Sequence, residues 1–209
     1  MKNKTNFELH KKPWPYIVVD NFLTDEHIRT ILRISRNQKV GDDELEHNYS
    51  AVKNNSVLKS NILGDDLLLE LDKKYSPKIL GYLRYFNRWK RLFYDYTEIN
   101  LQVNGSNWSG EMHVDSPKKI VTAVIYIDSK EPYLGTELYN KNCDPESMQE
   151  INWKVNRAFI FSRTGYSHHR ATGNLSSNRT VLVFNMKTEK SGIVKRIDWF
   201  KDFFVKPFV

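Results

Sequence analysis

In the stretch Gly110-Glu111-Met112-His113-Val114-Asp115 an imidazole and a carboxylate stand two positions apart. Residues i and i+2 of an extended strand leave the same face, so His113 and Asp115 can converge on one point. The answering half is Ser167-His168-His169-Arg170, more than fifty residues later, with Arg179 ten residues after His169. Two imidazoles and one carboxylate on one side of a divalent ion leave three coordination positions open, the facial arrangement that suits Fe(II) in oxygen chemistry. Those positions have room for the two donor oxygens of a 2-oxo acid and for O2. Arg179 is planar, always charged and bidentate, and inside an apolar core it asks for a carboxylate, which in this setting would be that of 2-oxoglutarate.

A lone His-x-Asp also arises as a surface hydrogen bond, and a lone arginine at a strand start as a salt bridge. Position separates these cases. His113 and Asp115 end a predicted strand and meet the turn Ser116-Pro117, His169 lies on another, and Arg179 opens the last one. His168 competes with His169 for the distal place, and the pleat sends the two to opposite faces.

The elements that must hold these residues are readable in outline. Trp14 to Asp20 reads as a short buried strand, rich in β-branched residues and led in by Pro15. Thr24 is an N-cap candidate, Asp25 and Glu26 suit a first turn, and Ile28, Ile31, Leu32 and Ile34 follow at helical spacing, so a helix is expected from about Thr24 to Arg36. Lys39 to Asn61 is polar and aperiodic and reads as a long surface segment with a short edge strand near Tyr49 to Val52. Leu63 to Tyr94 reads as helical, with Pro77 interrupting it or opening a second helix. Arg84, Arg88, Lys90 and Arg91 interleave there with aromatics, which is read as the solvated face of a helix packed on a sheet.

Beyond Glu98 the texture turns to strands. The expected set is Ile99–Val103, Glu111–Val114, Ile120–Ile127, Thr136–Tyr139, Ile151–Val155, Ala158–Phe161, Ser167–Thr172 and Thr180–Met186. Such spacing, with helices first and strands after, predicts a mainly β, α+β domain: a β sandwich or barrel core braced by N-terminal helices. One domain is expected over 1–209, with helical support roughly in 1–97, the β core roughly in 98–188 and a C-terminal aromatic segment in 189–209. In that last segment Trp199, Phe200, Phe203 and Phe204 share one side of a short helix, which either packs back on the domain or forms a homodimer contact.

Composition narrows the class. At 209 residues, 40% hydrophobic and 27% charged, the chain describes an ordinary globular protein rather than a disordered or membrane one. No apolar run approaches the ~18 residues of a membrane span. The first dozen residues lack the apolar core of a secretory signal, and Cys143 is the only cysteine, so a reducing, cytoplasmic setting is expected. The charge of +7 is modest for this length and reads as a slightly basic surface.

The sequence resembles the Fe(II)/2-oxoglutarate-dependent dioxygenases, in particular their prolyl-4-hydroxylase-like branch. The resemblance rests on Pro15-Tyr16-Ile17-Val18-Val19-Asp20-Asn21-Phe22-Leu23, His113-Val114-Asp115, Gly135-Thr136-Glu137-Leu138, and Ser167-His168-His169-Arg170 with Arg179. It implies a double-stranded β-helix (a cupin-like jelly roll) of eight strands, with His113, Asp115 and His169 as iron ligands and Arg179 binding 2-oxoglutarate. The spacing of distal histidine to basic residue in that family picks out His169 over His168. Tyr126 resembles a tyrosine that hydrogen-bonds the cosubstrate, and Asn104 an asparagine used towards it, although the tyrosine that often follows two positions later is Ser106 here. The reaction so implied consumes O2 and 2-oxoglutarate, releases succinate and CO2 and hydroxylates an unactivated C–H, with ascorbate as a reductant of the iron. Asp115 stands where halogenating relatives carry a small residue, which favours hydroxylation.

The leading substrate is a peptidyl or free amino-acid side chain, on the similarity to prolyl hydroxylases. A nucleic acid comes second, from the basic balance, Arg84 to Arg91 and the Lys118-Lys119 pair beside the triad. From another class, the chain could keep the β shell as a non-catalytic, cupin-like metal-binding or interaction module, indifferent to replacement of Arg179.

Overall fold

The computed structural model describes residues 7–128, 135–171 and 178–204, with side chains through Asp198. In chain order the strands and helices are β1 (Glu8–His10), β2 (Tyr16–Val19), α1 (Asp25–Ser35), β3 (Leu45–Tyr49), β4 (Ala51–Lys53), β5 (Ser56–Lys59), α2 (Asp65–Gly81) and α3 (Leu83–Phe86). After a 3₁₀ turn at Arg88–Phe93 come β6 (Tyr96–Asn104), β7 (Lys119–Asp128), β8 (Thr136–Tyr139), β9 (Gln149–Ile151), β10 (Ala158–Phe161), β11 (His168–Ala171), β12 (Arg179–Lys187) and α4 (Ser191–Phe204).

Two antiparallel sheets face each other. The larger has nine strands, ordered β1-β2-β10-β7-β12-β6-β4-β5 with β3 also on β6, and the smaller has three, ordered β11-β8-β9. The last strand, β12, thus lies between β7 and β6, paired with both along most of its length. Its alternation serves two cores. Leu182, Phe184 and Met186 join the helix-side cluster with Ile28 and Ile31 of α1 and Leu68, Leu71 and Ile79 of α2. Val181 and Val183 face the smaller sheet, in a second cluster with Tyr16, Val18, Tyr126, Leu138, Ile151, Trp153, Phe159 and Phe161. A strand buried on both faces reads as a near-continuous apolar run, as Val181 to Phe184 does. Trp14 ties the two sheets, its indole N–H donating to the Tyr139 carbonyl at 3.0 Å.

The helices depart from expectation in instructive ways. α1 begins after Thr24, but the Thr24 hydroxyl bonds His27 Nδ1 at 2.8 Å rather than a backbone amide. His27 Nδ1 also meets Tyr75 of α2 at 2.7 Å and its Nε2 meets Glu70 at 2.8 Å, which pins the two helices together. Pro77 neither ends nor starts a helix, because α2 runs through it to Gly81. The proline forfeits one backbone bond, while Ile79 and Leu80 beyond it bury apolar area worth ~1.5–3 kcal/mol per side chain.

Two corrections concern the strands. The segment Lys39 to Asn61 holds more than the one edge strand expected near Tyr49 to Val52, since β3, β4 and β5 lie in it and β3 and β4 extend the larger sheet along β6. Its short, largely exposed strands lack the buried alternation that reveals a strand in sequence. Glu111 to Val114 forms no strand of its own and contributes one isolated bridge, His113 with His169. Among the described residues between Tyr96 and Lys187 there are accordingly seven strands, β6 to β12, where eight were expected. Among the described residues no helix is long and apolar enough to cross a membrane. The aromatic side chains of Trp199, Phe200, Phe203 and Phe204, on which a dimer contact would rest, lie outside the described ones.

Candidate metal centre

β11 pairs with β8 so that His169 lies opposite Leu138, a residue of the inter-sheet cluster, while His168 lies opposite Tyr139. The pleat therefore turns His169 inward, where it is buried, and His168 to the other face. The His113 segment runs antiparallel beside β11. His113 N–H donates to the His169 carbonyl at 3.1 Å and His169 N–H returns the bond at 3.0 Å, while Gly110 N–H reaches the Ala171 carbonyl. Paired residues share a face, and the two imidazoles stand with ring centroids 4.5 Å apart.

Both rings are held in the same tautomer. His113 Nδ1 lies 2.8 Å from the Glu111 carbonyl, and His169 Nδ1 lies 2.9 Å from the Ser167 carbonyl. A carbonyl only accepts, so each Nδ1 carries a hydrogen, and in the neutral imidazole the lone pair then falls on Nε2. Phe161 and Trp14 add edge contacts to the His169 ring, at 4.8 and 6.3 Å between centroids.

Asp115 completes the group. Its Oδ1 accepts from Lys119 Nζ at 2.6 Å and stands 4.0 Å from His113 Nε2, and its Oδ2 accepts from the Thr122 hydroxyl at 2.8 Å. Burial alone would push the Asp115 carboxyl up. The Lys119 and His169 charges and the bonds from Lys119 and Thr122 outweigh it and hold the carboxyl below its ordinary value. Burial drives His169 the opposite way, below the ordinary histidine value, despite the pull of Asp115. The pair thus favours an ionised carboxylate and a neutral imidazole, the forms that ligate metal.

The ligand atoms of His113, Asp115 and His169 lie within 4.8 Å of one another, the one such cluster of three or more among the described residues. Ligands about 2.1 Å from a shared ion stand about 3 Å apart at right angles, so an ion would draw them slightly together. The donor set therefore fits Fe(II), with two imidazole nitrogens and one carboxylate oxygen on one side. His113 is the exposed member, its side chain 52% accessible, so this side of the centre opens to solvent.

A second locus forms where β12 begins. Arg179 is 2% exposed and lies directly opposite Asn104 of β6. Its Nη1 donates to the Gly135 carbonyl at 3.4 Å, and its guanidinium carbon lies 5.8 Å from the Trp153 ring centroid. Tyr126 stacks on Trp153 at 4.4 Å and 14°, and its hydroxyl donates to Thr136 Oγ1 at 2.9 Å. Burial lowers Arg179 to about 10, with Tyr126 acting weakly against it, so the guanidinium stays charged at neutral pH. Burial raises the Tyr126 phenol, which stays protonated. The Asn104 Oδ1 atom is buried and without a hydrogen bond among the described residues. Ser106 takes no part here, since its hydroxyl donates to Asp42. Val124, Val181 and Val183 belong to the apolar lining between the sheets, the cluster that also holds Tyr126 and Trp153.

Four residues of this region were missed in the sequence: Lys119, Thr122, Asn185 and Trp153. Thr122 is the legible one, because it shares the inward parity of Tyr126 on β7, four positions on. Asn185 Oδ1 stands 3.2 Å from Thr122 Oγ1 and its amide nitrogen donates to Glu98 at 2.9 Å, extending the polar line away from Asp115. Lys119, read from the sequence as part of a basic pair, is spent on Asp115, and Lys118 lies 3.9 Å from Glu189.

No protein-family model and no curated protein matches the sequence. Solved structures do match. A prolyl-4-hydroxylase from Pseudomonas putida aligns over 83% of this chain and 92% of its own, with 12% identity and a TM-score of 0.54. An oxidoreductase of the 2OG-Fe(II) oxygenase family from Burkholderia pseudomallei aligns over 84% and 88%, with 11% identity and a TM-score of 0.57. A prolyl 4-hydroxylase from Phytophthora capsici aligns over 84% of this chain and 59% of its own, with 15% identity and a TM-score of 0.55. The chain therefore has the mainly β, antiparallel fold of the prolyl-4-hydroxylases and 2OG-Fe(II) oxygenases.

Proposed function

We propose that this chain is a non-haem Fe(II)- and 2-oxoglutarate-dependent oxygenase. The observation that carries the reading is the convergence of His113, Asp115 and His169, each imidazole fixed with Nε2 available. His113 Nε2, His169 Nε2 and an Asp115 oxygen would hold the iron on one side. Arg179, buried and charged, would bind the far carboxylate of 2-oxoglutarate, with Tyr126 and Asn104 in the same wall. The iron would supply O2 activation coupled to decarboxylation of 2-oxoglutarate to succinate and CO2, ending in hydroxylation of an unactivated C–H. The protein's share is orientation. Thr122 and Lys119 hold the carboxylate, the Glu111 and Ser167 carbonyls hold the rings, and the apolar wall of Val181, Val183 and Phe159 keeps water from the interior.

For substrate, a peptidyl or free amino acid is the preferred class, supported by the two prolyl-4-hydroxylases among the structural neighbours. Of the residues behind a nucleic-acid reading, Arg84, Arg88 and Arg91 stay at the surface, while Lys90 and Lys119 are engaged within the chain. Arg84 lies over the Tyr85 ring, Arg88 over the Trp89 ring, and Lys90 is buried against Asp198.

The test is anaerobic titration of the Fe(II)-loaded protein with 2-oxoglutarate, following the weak visible band of the chelate. A band that is lost in Asp115→Ala and needs far more 2-oxoglutarate in Arg179→Ala is expected. No band in the wild-type protein would sink the oxygenase reading and favour the non-catalytic module.

A further inference from the structure

We infer that Trp153 is a cosubstrate-binding residue whose indole N–H donates to the distal carboxylate of 2-oxoglutarate beside Arg179; this rests on the function proposed above. Trp153 follows β9 and is 5% exposed. Its ring is fixed on two sides, by the Tyr126 ring stacked at 4.4 Å and by the Arg179 guanidinium at 5.8 Å. It is therefore part of the wall that carries the buried cation.

Its polar atom is what needs an explanation. Trp153 Nε1 is buried and has no hydrogen bond among the described residues. An indole nitrogen is a donor only, and a buried donor left unmade is a standing cost to the folded state. Among the described residues the other buried indole is satisfied, since Trp14 donates to the Tyr139 carbonyl. An unpaired donor beside a buried guanidinium describes half of an anion site. A carboxylate has about four lone-pair positions, enough to take a guanidinium fork and one further N–H together. The interior is otherwise apolar around this point, with Ile151, Val181 and Leu138 in the same cluster, so a compact anion with one charged end suits it better than a highly charged phosphate.

The ring itself would stay in place without its nitrogen, because stacking on Tyr126 needs only the aromatic face. Trp153→Phe is therefore the informative variant. In the Fe(II)-loaded protein under anaerobic conditions, it should raise the dissociation constant for 2-oxoglutarate about 10-fold. It should leave unchanged the affinity for Fe(II) and for 2-oxobutyrate, which has the chelating end and no distal carboxylate. Equal weakening of both oxo acids would mark Trp153 as packing alone and overturn the assignment, as would an unchanged affinity for 2-oxoglutarate. If wild type loaded with Fe(II) binds neither oxo acid, the oxygenase reading fails together with the inference.

A second measurement does not depend on the variant's stability. In ¹⁵N-labelled wild-type protein loaded with diamagnetic Zn(II), the five tryptophans give separate indole N–H signals. Addition of 2-oxoglutarate should shift one of them strongly downfield, and 2-oxobutyrate should leave it in place. No such shift at saturation would overturn the assignment.

Discussion

At the scale of the residue, the centre depends on groups that touch the ligands rather than only on the ligands. Thr122 donates to Asp115 Oδ2 at 2.8 Å and, through Asn185, continues a line of hydrogen bonds to Glu98 and Lys187. Thr122→Val keeps the shape and removes the hydroxyl, so the carboxylate loses one of its two fixed contacts. Fe(II) affinity should fall about 10-fold in competition with a chromogenic chelator, with the fold intact by circular dichroism. Asp20 offers a different test. Hydrogen bonds from Arg157 above all, helped by Lys154, hold its carboxyl down to about 2 against burial. A depressed folded value means the contribution is complete above the unfolded value near 3.8 and is lost as pH falls through about 2. Asp20 is about a third exposed, which screens the pairs, so Asp20→Asn should cost about 1 kcal/mol at pH 7. In urea titrations the gap between the two proteins should close between pH 4 and pH 2.

At the scale of the element, the site is built by pairing, and pairing explains what could be read in advance. The segment Thr136–Tyr139 after Gly135 and the apolar run Ala158–Phe161 coincide with β8 and β10. His113 and Asp115 were legible from their two-residue spacing taken with His169 and Arg179, although the strand expected there reduces to one bridge. The pleat alone left His168 and His169 open and the family spacing favoured His169, while which of them lies opposite Leu138 is a property of β11 on β8. Trp153 carried no signal, because the chain after β9 brings it to groups distant in sequence, and Lys119 was read only as half of a basic pair because its carboxylate partner was seen only as a metal ligand. Of β3 to β5 only an edge strand near Tyr49 to Val52 was legible, the rest being hidden by exposure, and Pro77 misled because the burial of α2 outweighs one lost backbone bond. The pairing of β8 with β9 carries its own prediction. A Cβ on Gly135 would come 1.9 Å from the Ile151 carbonyl and 2.9 Å from the Tyr126 hydroxyl. The first of these atoms is backbone and cannot swing aside. Gly135→Ala should therefore destabilise by about 3 kcal/mol, read as a lowered midpoint in urea, and disturb the stacked Tyr126–Trp153 pair, read as a fluorescence change.

At the scale of the whole molecule, a buried ionic cluster ties the last helix to the metal centre. Lys90, 1% accessible, places Nζ 2.6 Å from Asp198 of α4 and 3.1 Å from Ser162. Arg163 donates from Nη1 to the same Asp198 at 3.0 Å and from Nε to the Asp115 carbonyl at 3.2 Å. Asp198 is thus the shared counter-ion of two cations from distant parts of the chain. Removing one partner of a buried pair costs far more than the pair contributes, because the remaining charge stays desolvated. Asp198→Ala should cost about 3–5 kcal/mol in urea unfolding. Lys90→Met should cost clearly less, because Arg163 still neutralises Asp198. Equal losses in the two variants would mean that Arg163 does not share the charge.

The place of β12 between β7 and β6 also has a consequence for synthesis. During translation β6 and β7 leave the ribosome well before their common neighbour, so each waits with an unpaired edge and an apolar face. No local hairpin can close that gap, and the larger sheet gains its middle only when residues up to Lys187 have emerged. Sheets completed by distant pairing form slowly and expose sticky edges meanwhile. A nascent chain stalled before Arg179 would therefore be a natural client for holding chaperones, and a completed one would not.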